Sequence, residues 1–283
     1  MDPLFIVLQH LLPQHVLSRL TGWLADTEIE WLKNVLIKLF ASHFKVNMSE
    51  AAQPELEAYN SFNTFFTRAL QAGARPIDDD VSLITCPADG AISQLGKIEN
   101  GRVFQAKGRS YSAAELLADA DRATVFENGQ FATIYLSPRD CHRVHMPIAG
   151  ELSAQTYVPG NLYSVNQATA ERVDRLFARN ERLVCYFDTE LGPMAMVLVG
   201  AMIVAGIETV WSGQVAPPGK DPKTIDFKHA PAGVKLAKGE EMGRFKLGST
   251  VILLFPENSI AWKDNYAANT PTRLGEALAN ILP

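Results

Sequence analysis

The stretch EMGRFKLGSTVILLF, residues 241–255, decides how the chain is read. Its second half, VILLF, is a short apolar run of β-branched and bulky residues. That is the pattern of a buried strand. Turn chemistry, Gly248-Ser249-Thr250, sits directly against it, with a hydroxyl nucleophile immediately after the glycine. Such a junction is either a loop leading into a core strand or a bond that breaks itself.

The strand texture continues outward from this stretch. After residue 80, short apolar runs alternate with glycines in SLITCPADGAISQLGKI, QFATIYLSP, HRVHMPIAGELSAQTYV and RLVCYFDTELGPMAMVLVGAMIVAGIETVW. Runs this short and this closely spaced are strand signals. PAGVKLAKGEEMGRF, 231–245, reads as turn-separated strands. A short helix is predicted at SAAELLADA, 112–120, and another at the C-terminal TPTRLGEALANIL, 270–282. No repeat is regular enough for a solenoid.

Residues 1–72 read differently. Asp2-Pro3 suits a helix start, and Pro13 ends one piece and opens another. TEIEWLKNVLIKLFASHF, 27–44, places Ile29, Leu32, Leu36, Leu39 and Phe40 at helical spacing, and Thr27 with Glu30 predicts a capping box. SFNTFFTRAL, 61–70, predicts a third helix. Residues 4–24 are apolar at most positions, which fits either a helical pair on the main core or a helix lying on a membrane. The expected class is α+β: a β-rich, barrel- or sandwich-like body, 73–283, behind a helical front end, 1–72.

Composition narrows the function classes. The chain has 283 residues, 47% hydrophobic and 20% charged, with a net charge of −5. That is globular and gives no basic excess for nucleic acid. Cys86, Cys141 and Cys185 are too sparse for a disulfide framework, and no CxxC pair suggests zinc. The N-terminus lacks a basic n-region and a cleavage site, so it is not read as a secretory signal. The longest apolar run, MAMVLVGAMIVAGI, 194–207, falls short of the roughly 20 residues that cross a bilayer. A soluble or peripheral protein is expected.

Three stretches could carry chemistry. CPADGAI holds Asp89 before Gly90, a pair also common in hairpin turns. SPRDCHRVHMP holds His142 and His145. HxxH can bind metal, but on a strand those two positions face opposite sides and no third ligand cluster lies nearby, so no metal is expected. The third is Ser249. Acid, histidine and serine are the parts of a nucleophilic triad, although the GxSxG elbow of hydrolases is absent.

FNTFFTRAL, CPADGAI, HRVHMP, VPGNLYSVN, FARNERLVCYFDTELGPMAMVLVGA and FKLGSTVILLF together resemble the signature blocks of the bacterial phosphatidylserine decarboxylases, in the family's order. The resemblance implies a self-processing proenzyme. It would break between Gly248 and Ser249 into a β chain, 1–248, and an α chain, 249–283, with Ser249 becoming a covalent pyruvoyl group. It implies Asp89, His145 and Ser249 as the self-cleavage triad and His142 for decarboxylation. The pyruvoyl group would form a Schiff base with phosphatidylserine and release CO2 and phosphatidylethanolamine, and an ordinary histidine pKa near the operating range suits His142 to the proton transfer.

The implied partners are phosphatidylserine, a membrane surface and the chain's own two fragments, with homo-oligomerisation left open. A diacyl substrate also favours residues 3–24 as a membrane-contacting surface and places the enzyme on the cytoplasmic face of the cell membrane. VPGNLYSVN, with Pro159, Gly160, Asn161 and Tyr163, becomes a candidate substrate loop. The competing readings are a serine hydrolase using Asp89, His145 and Ser249 on an external ester or amide, and a non-enzymatic β-rich binding module.

Overall fold

The computed structural model describes residues 14–202, 206–215, 220–228, 233–246 and 249–283. The start at Asp2-Pro3 lies outside them. A helix occupies Gln14–Ala25, and the expected break at Pro13 lies outside the described residues. The next, Glu30–Phe44, buries Lys33, Ile37 and Ala41, a stripe at four-residue spacing. It packs with Ala25, Tyr59 and the phenylalanines of the helix Phe62–Phe66 in a small core of its own. The expected Thr27–Glu30 capping box is absent, because the helix starts later: Ile29 occupies the N-cap and makes no side-chain cap bond. The third helix is shorter than 61–70. Ser61 and Thr64 form a capping box at its start, and the chain has left the helix by Leu70, which bridges to Ala51.

The strands in chain order are β1 (Leu83–Thr85), β2 (Gly90–Lys97), β3 (Arg102–Ala106), β4 (Arg109–Ser112), β5 (Gln130–Leu136), β6 (Arg143–His145), β7 (Gly150–Val158), β8 (Arg182–Thr189) and β9 (Gly192–Val199). Then follow β10 (Gly206–Thr209), β11 (Gly213–Gln214), β12 (Lys223–Asp226), β13 (Lys235–Leu236), β14 (Glu241–Lys246), β15 (Ser249–Phe255), β16 (Ile260–Trp262), β17 (Pro271–Thr272) and β18 (Ala277–Ile281). Nine of them form one antiparallel sheet, ordered β12-β7-β8-β9-β15-β5-β2-β17, with β13 also on β7. Smaller sheets, β11-β10-β14-β6 and β1-β18-β16, and the hairpin β3–β4 complete the set.

β15 lies inside the large sheet, between β9 and β5. Its Val251, Leu253 and Phe255 belong to one core cluster and Ile252 and Leu254 to another. Both faces are covered, so the run is apolar without alternation. On the first face the large sheet shares its core with Val144, Met242 and Phe245 of the four-stranded sheet and with Ile260 and Leu278 of the three-stranded one. On the second it packs under the hairpin and the short helices Ala113–Leu117 and Leu176–Arg179. The fold is strand-rich α+β and layered. The large sheet is open, with β12 and β17 at its ends, so of the barrel- or sandwich-like alternatives no closed barrel is found among the described residues.

The C-terminal helix is overturned. Residues 270–282 hold β17 and β18 instead. Leu278 and Ala279 are fully buried, and β18 pairs with β1 on one side and β16 on the other. Gly275 at φ 86° turns the chain just before it. Pairing on both edges overrides the helical propensity of EALAN.

Candidate active site

β14 ends at Lys246 in the four-stranded sheet and β15 begins at Ser249 in the large one. Gly248 lies outside the described residues, and Ser249 is described only as the first residue of β15. Ser249 pairs with Leu136 at the end of β5, and Thr250 with Tyr135, which on its other edge meets Ala91 of β2. Neighbouring strands stand about 4.8 Å apart. The start of β15, the end of β5 and the start of β2, where Asp89 precedes Gly90, therefore meet at one end of the sheet.

Asp89 is buried and held on several sides. Arg75 donates from Nε to Oδ1 at 2.9 Å and from Nη2 to Oδ2 at 2.7 Å, and the Leu274 amide donates to Oδ1 at 2.9 Å. Arg75 also donates to Glu50 at 2.8 Å. These bonds raise the Arg75 pKa above the ordinary arginine range. The described residues show no hydrogen bond from Asp89 to His145. The two are joined through the backbone, where the His145 amide donates to the Pro87 carbonyl at 2.8 Å, and through the field of the carboxylate, which favours a proton on His145.

His145 ends β6 directly across from Glu241 of β14. Burial lowers its pKa, and the charge of Glu241 partly restores it. Its Nδ1 is buried with no hydrogen-bond partner among the described residues. His142 sits just before β6, so the two histidines do not share a strand as the HxxH spacing suggested. It is 0% exposed, with the Phe66 ring 4.0 Å away, centroid to centroid. Its Nδ1 stands 3.0 Å from the Asp140 carbonyl oxygen. A carbonyl can only accept, so Nδ1 carries the proton and Nε2 is the basic nitrogen. Nε2 is buried without a partner. Burial pushes the His142 pKa down to about 3, so the ordinary pKa expected from sequence is corrected by its full desolvation.

The 158–166 stretch is no surface turn. Leu162 and Tyr163 are buried. The Asn161 amide donates to the Arg179 carbonyl at 2.8 Å, and a Cβ at Gly160 would stand 2.4 Å from that same oxygen. Glycine is required there by close approach. Asn180 ties the loop to the sheet end, donating from Nδ2 to Tyr163 O at 2.8 Å and to Gly200 O at 2.9 Å. Gly200 follows Val199, the partner of Thr250. Pro159, Gly160, Asn161 and Tyr163 thus belong to the segment closing the end of the sheet where β15 begins. The Leu162 amide donates to Gln14 Oε1 at 2.7 Å, which links this loop to the first described helix.

Sequence reasoning missed Arg75, Asn180 and Arg68. Arg68 stands in the FFTRAL block, and nothing in its spacing told a buried guanidinium from a surface one. Arg75 is fourteen residues from Asp89 in the chain. No local pattern announces that pair.

The profile of the phosphatidylserine decarboxylase family matches residues 62–280, and a shorter profile, described as PSD, matches residues 4–45. A phosphatidylserine decarboxylase proenzyme of Ectopseudomonas mendocina (strain ymp) is 60% identical over 279 residues, 98% of each chain. One from Pseudomonas aeruginosa (strain LESB58) is 60% identical over 280 residues, covering 98% of this chain and 97% of that one. One from Pseudomonas putida is 58% identical over 278 residues, with the same shares. The chain is an enzyme of the carboxy-lyase class. It belongs to the phosphatidylserine decarboxylase family. The serine hydrolase alternative finds no support among these relatives.

Proposed function

We propose that the chain converts phosphatidylserine to phosphatidylethanolamine and CO2, after cutting itself between Gly248 and Ser249. The carrying observation is that the start of β15 pairs with the end of β5, which pairs with the start of β2 beside Asp89, while the His145 amide bonds the Pro87 carbonyl two residues before that aspartate. His145 takes the Ser249 hydroxyl proton, and the oxygen attacks the Gly248 carbonyl. The amide becomes an ester. Elimination frees the Gly248 carboxylate and leaves dehydroalanine, which takes up water to give pyruvoyl and ammonia. Asp89, fixed by Arg75 and the Leu274 amide, supplies the negative field that steadies the imidazolium.

The residues present fit a pyruvoyl group at position 249. The new N-terminus heads a strand paired on both edges. Among the described residues, His142 Nε2 and His145 Nδ1 are buried polar atoms without partners, on and just before the strand that pairs with β14, the strand preceding β15 in the chain. The group supplies an electron sink for the charge left when CO2 departs. His142 holds a proton on Nδ1 against Asp140, presents a bare Nε2, and shuttles the proton that replaces CO2. Residues 158–166 close the site over the headgroup.

Residues 1–72 serve as the membrane-associating region and 73–283 as the catalytic body. In support, Val16, Leu20 and Trp23 form one exposed apolar stripe, and Trp31, Val35 and Leu39 another, at helical spacing. An apolar cavity of about 370 Å³ between Leu24, Leu36, Phe40 and Phe62 opens beside them. Among the described residues no helix is long and apolar enough to cross a membrane. The stripes lie on the cytoplasmic face of the cell membrane, where the diacyl substrate resides.

Denaturing mass spectrometry of the purified 31.1 kDa chain tests the processing. Two fragments separating after Gly248, the shorter lighter by one ammonia than its Ser249-initiated sequence and carrying a reactive carbonyl, are expected. A single intact chain that stays intact on incubation overturns the reading.

A further inference from the structure

Arg68 lies just past the helix Phe62–Phe66 and is 4% exposed. Its Nη2 donates to the Arg139 carbonyl at 2.9 Å, and its guanidinium carbon stands 5.5 Å from the Phe65 ring centroid. Its Nε and Nη1 are buried and have no hydrogen-bond partner. The neighbouring cations are better matched. Arg75 meets Asp89 at 2.7 Å and Glu50 at 2.8 Å, Arg143 meets Glu241 at 2.7 Å, and exposed Arg139 faces Asp140 at 3.9 Å. Among the described residues no carboxylate stands within ion-pair distance of Arg68.

A guanidinium does not shed its charge when buried. A buried charge without an ion-pair partner costs several kcal/mol, and Asp140 and Asp89 act on Arg68 only through space, so an anion bonded to its free nitrogens would lower that cost. The room is there. A cavity of about 250 Å³ has three arginines in its lining, Arg68, Arg75 and Arg139, and three carboxylates, Glu50, Asp89 and Asp140, of which Glu50 and Asp89 are already bonded to Arg75, with Cys141 beside them. It shares Asp89 with the proposed self-cleavage site, and its Cys141 is the chain neighbour of His142. The charge of Arg68 reaches His142 and disfavours a proton there.

We propose that Arg68 is a specificity-determining residue that grips the phosphodiester of the substrate headgroup through Nε and Nη1. This rests on the substrate reading given above. Phosphate is favoured over the carboxylate for an energetic reason. A guanidinium on the departing carboxylate would stabilise the ground state and oppose CO2 loss. The phosphate charge is constant through the reaction, so holding it lowers KM and leaves kcat unchanged. The phosphorus lies a short bridge from the carbon bearing the amine, which suits a cation placed beside the histidines.

Steady-state kinetics of Arg68→Lys and Arg68→Gln in the full chain test this, with short-chain phosphatidylserine and its neutral phosphate methyl ester as substrates. Both variants should process into two chains. KM for the charged substrate should rise about tenfold to a hundredfold in the glutamine variant, and less in the lysine variant, with kcat little changed. The wild type should prefer the charged substrate over the ester, and Arg68→Gln should lose that preference. An unchanged KM, a fall in kcat alone, or a wild type indifferent to the methyl ester overturns the assignment. A processed wild type that decarboxylates no phosphatidylserine sinks the substrate reading instead, and this assignment with it.

Discussion

The helical front end and the end of the large sheet are built in opposite senses. The helices turn Trp23, Trp31 and Leu39 outward, 74%, 69% and 66% exposed, while Lys33 is buried with its Nζ donating to the Glu57 carbonyl at 2.9 Å. The sheet end does the reverse, burying Arg68, Asp89 and His142. Neither arrangement is what folding alone favours, since apolar surface gains by leaving water and charge loses by it. Each departure suits one part of the same substrate. Acyl chains call for apolar atoms outside, and an anionic, zwitterion-bearing headgroup calls for polar atoms inside. Where the two regions touch, Phe66 lies on His142 and Gln14 bonds the 158–166 loop, so the helical front end also reaches the candidate site.

The largest effect separates the two regions outright. Ser249→Ala removes the nucleophile, so the chain should run as one intact species by denaturing mass spectrometry, with no decarboxylation and with vesicle binding retained. A processed Ser249→Ala chain would break the assignment of the cleavage to this residue. Next in size, His142→Gln should leave cleavage intact and lower kcat on phosphatidylserine by about 10²–10⁴-fold, the usual worth of a positioned proton donor. Failure to process would instead place His142 in the cleavage step.

The same histidine gives the sheet end a pH signature. Its folded pKa of about 3 lies below the ordinary 6.5, so the unfolded chain binds the extra proton first. Stability is therefore fully present above about pH 6.5 and falls as pH drops toward 3. His145, also lowered by burial, acts in the same direction, whereas Asp140, raised by burial, opposes it in the carboxylate range. Urea titrations between pH 7 and 4 should show ΔG of unfolding declining, and His142→Gln should flatten that slope. An equal decline in both proteins would detach the effect from His142.

Much of this contrast was legible in the sequence, and unevenly. The VILLF run was legible because it sits in a short pattern, and Asp89, His142 and His145 were singled out by the blocks that carry the family resemblance. The helix at 30–44 was found from its spacing. The C-terminal strands were missed because Ala, Leu and Glu favour a helix locally, and only pairing with β1 and β16 reveals the strand. The open sheet, the Arg75 clamp on Asp89 and the unmatched Arg68 depend on contacts between distant residues. No window along the chain contains them. The pKa of His142 was missed for the same reason, since desolvation belongs to the packed molecule.

The helices should respond to polarity where the sheet end does not. Trp23→Ser and Trp31→Ser should leave cleavage and turnover of a soluble short-chain substrate intact. Each should weaken binding to phosphatidylserine-containing vesicles by about tenfold, the worth of one partly buried aromatic side chain. Unchanged sedimentation with vesicles would return those stripes to ordinary surface.

The smallest effect probes why the front end tolerates a poor helix start. Ile29 holds the N-cap of the helix 30–44, makes no cap bond and is exposed. Ile29→Asp would give the helix a side-chain acceptor and a favourable charge at its positive end. It should stabilise the chain by about 1 kcal/mol, a rise of roughly 2 °C in Tm for a protein of this size. If the helix meets lipid, the same carboxylate must be desolvated at the interface or hold that end away, so vesicle binding should fall as Tm rises. A variant more stable and equally well bound would show that Ile29 faces water in the working enzyme. It would also confine the lipid-facing surface to the stripes of Trp23 and Trp31.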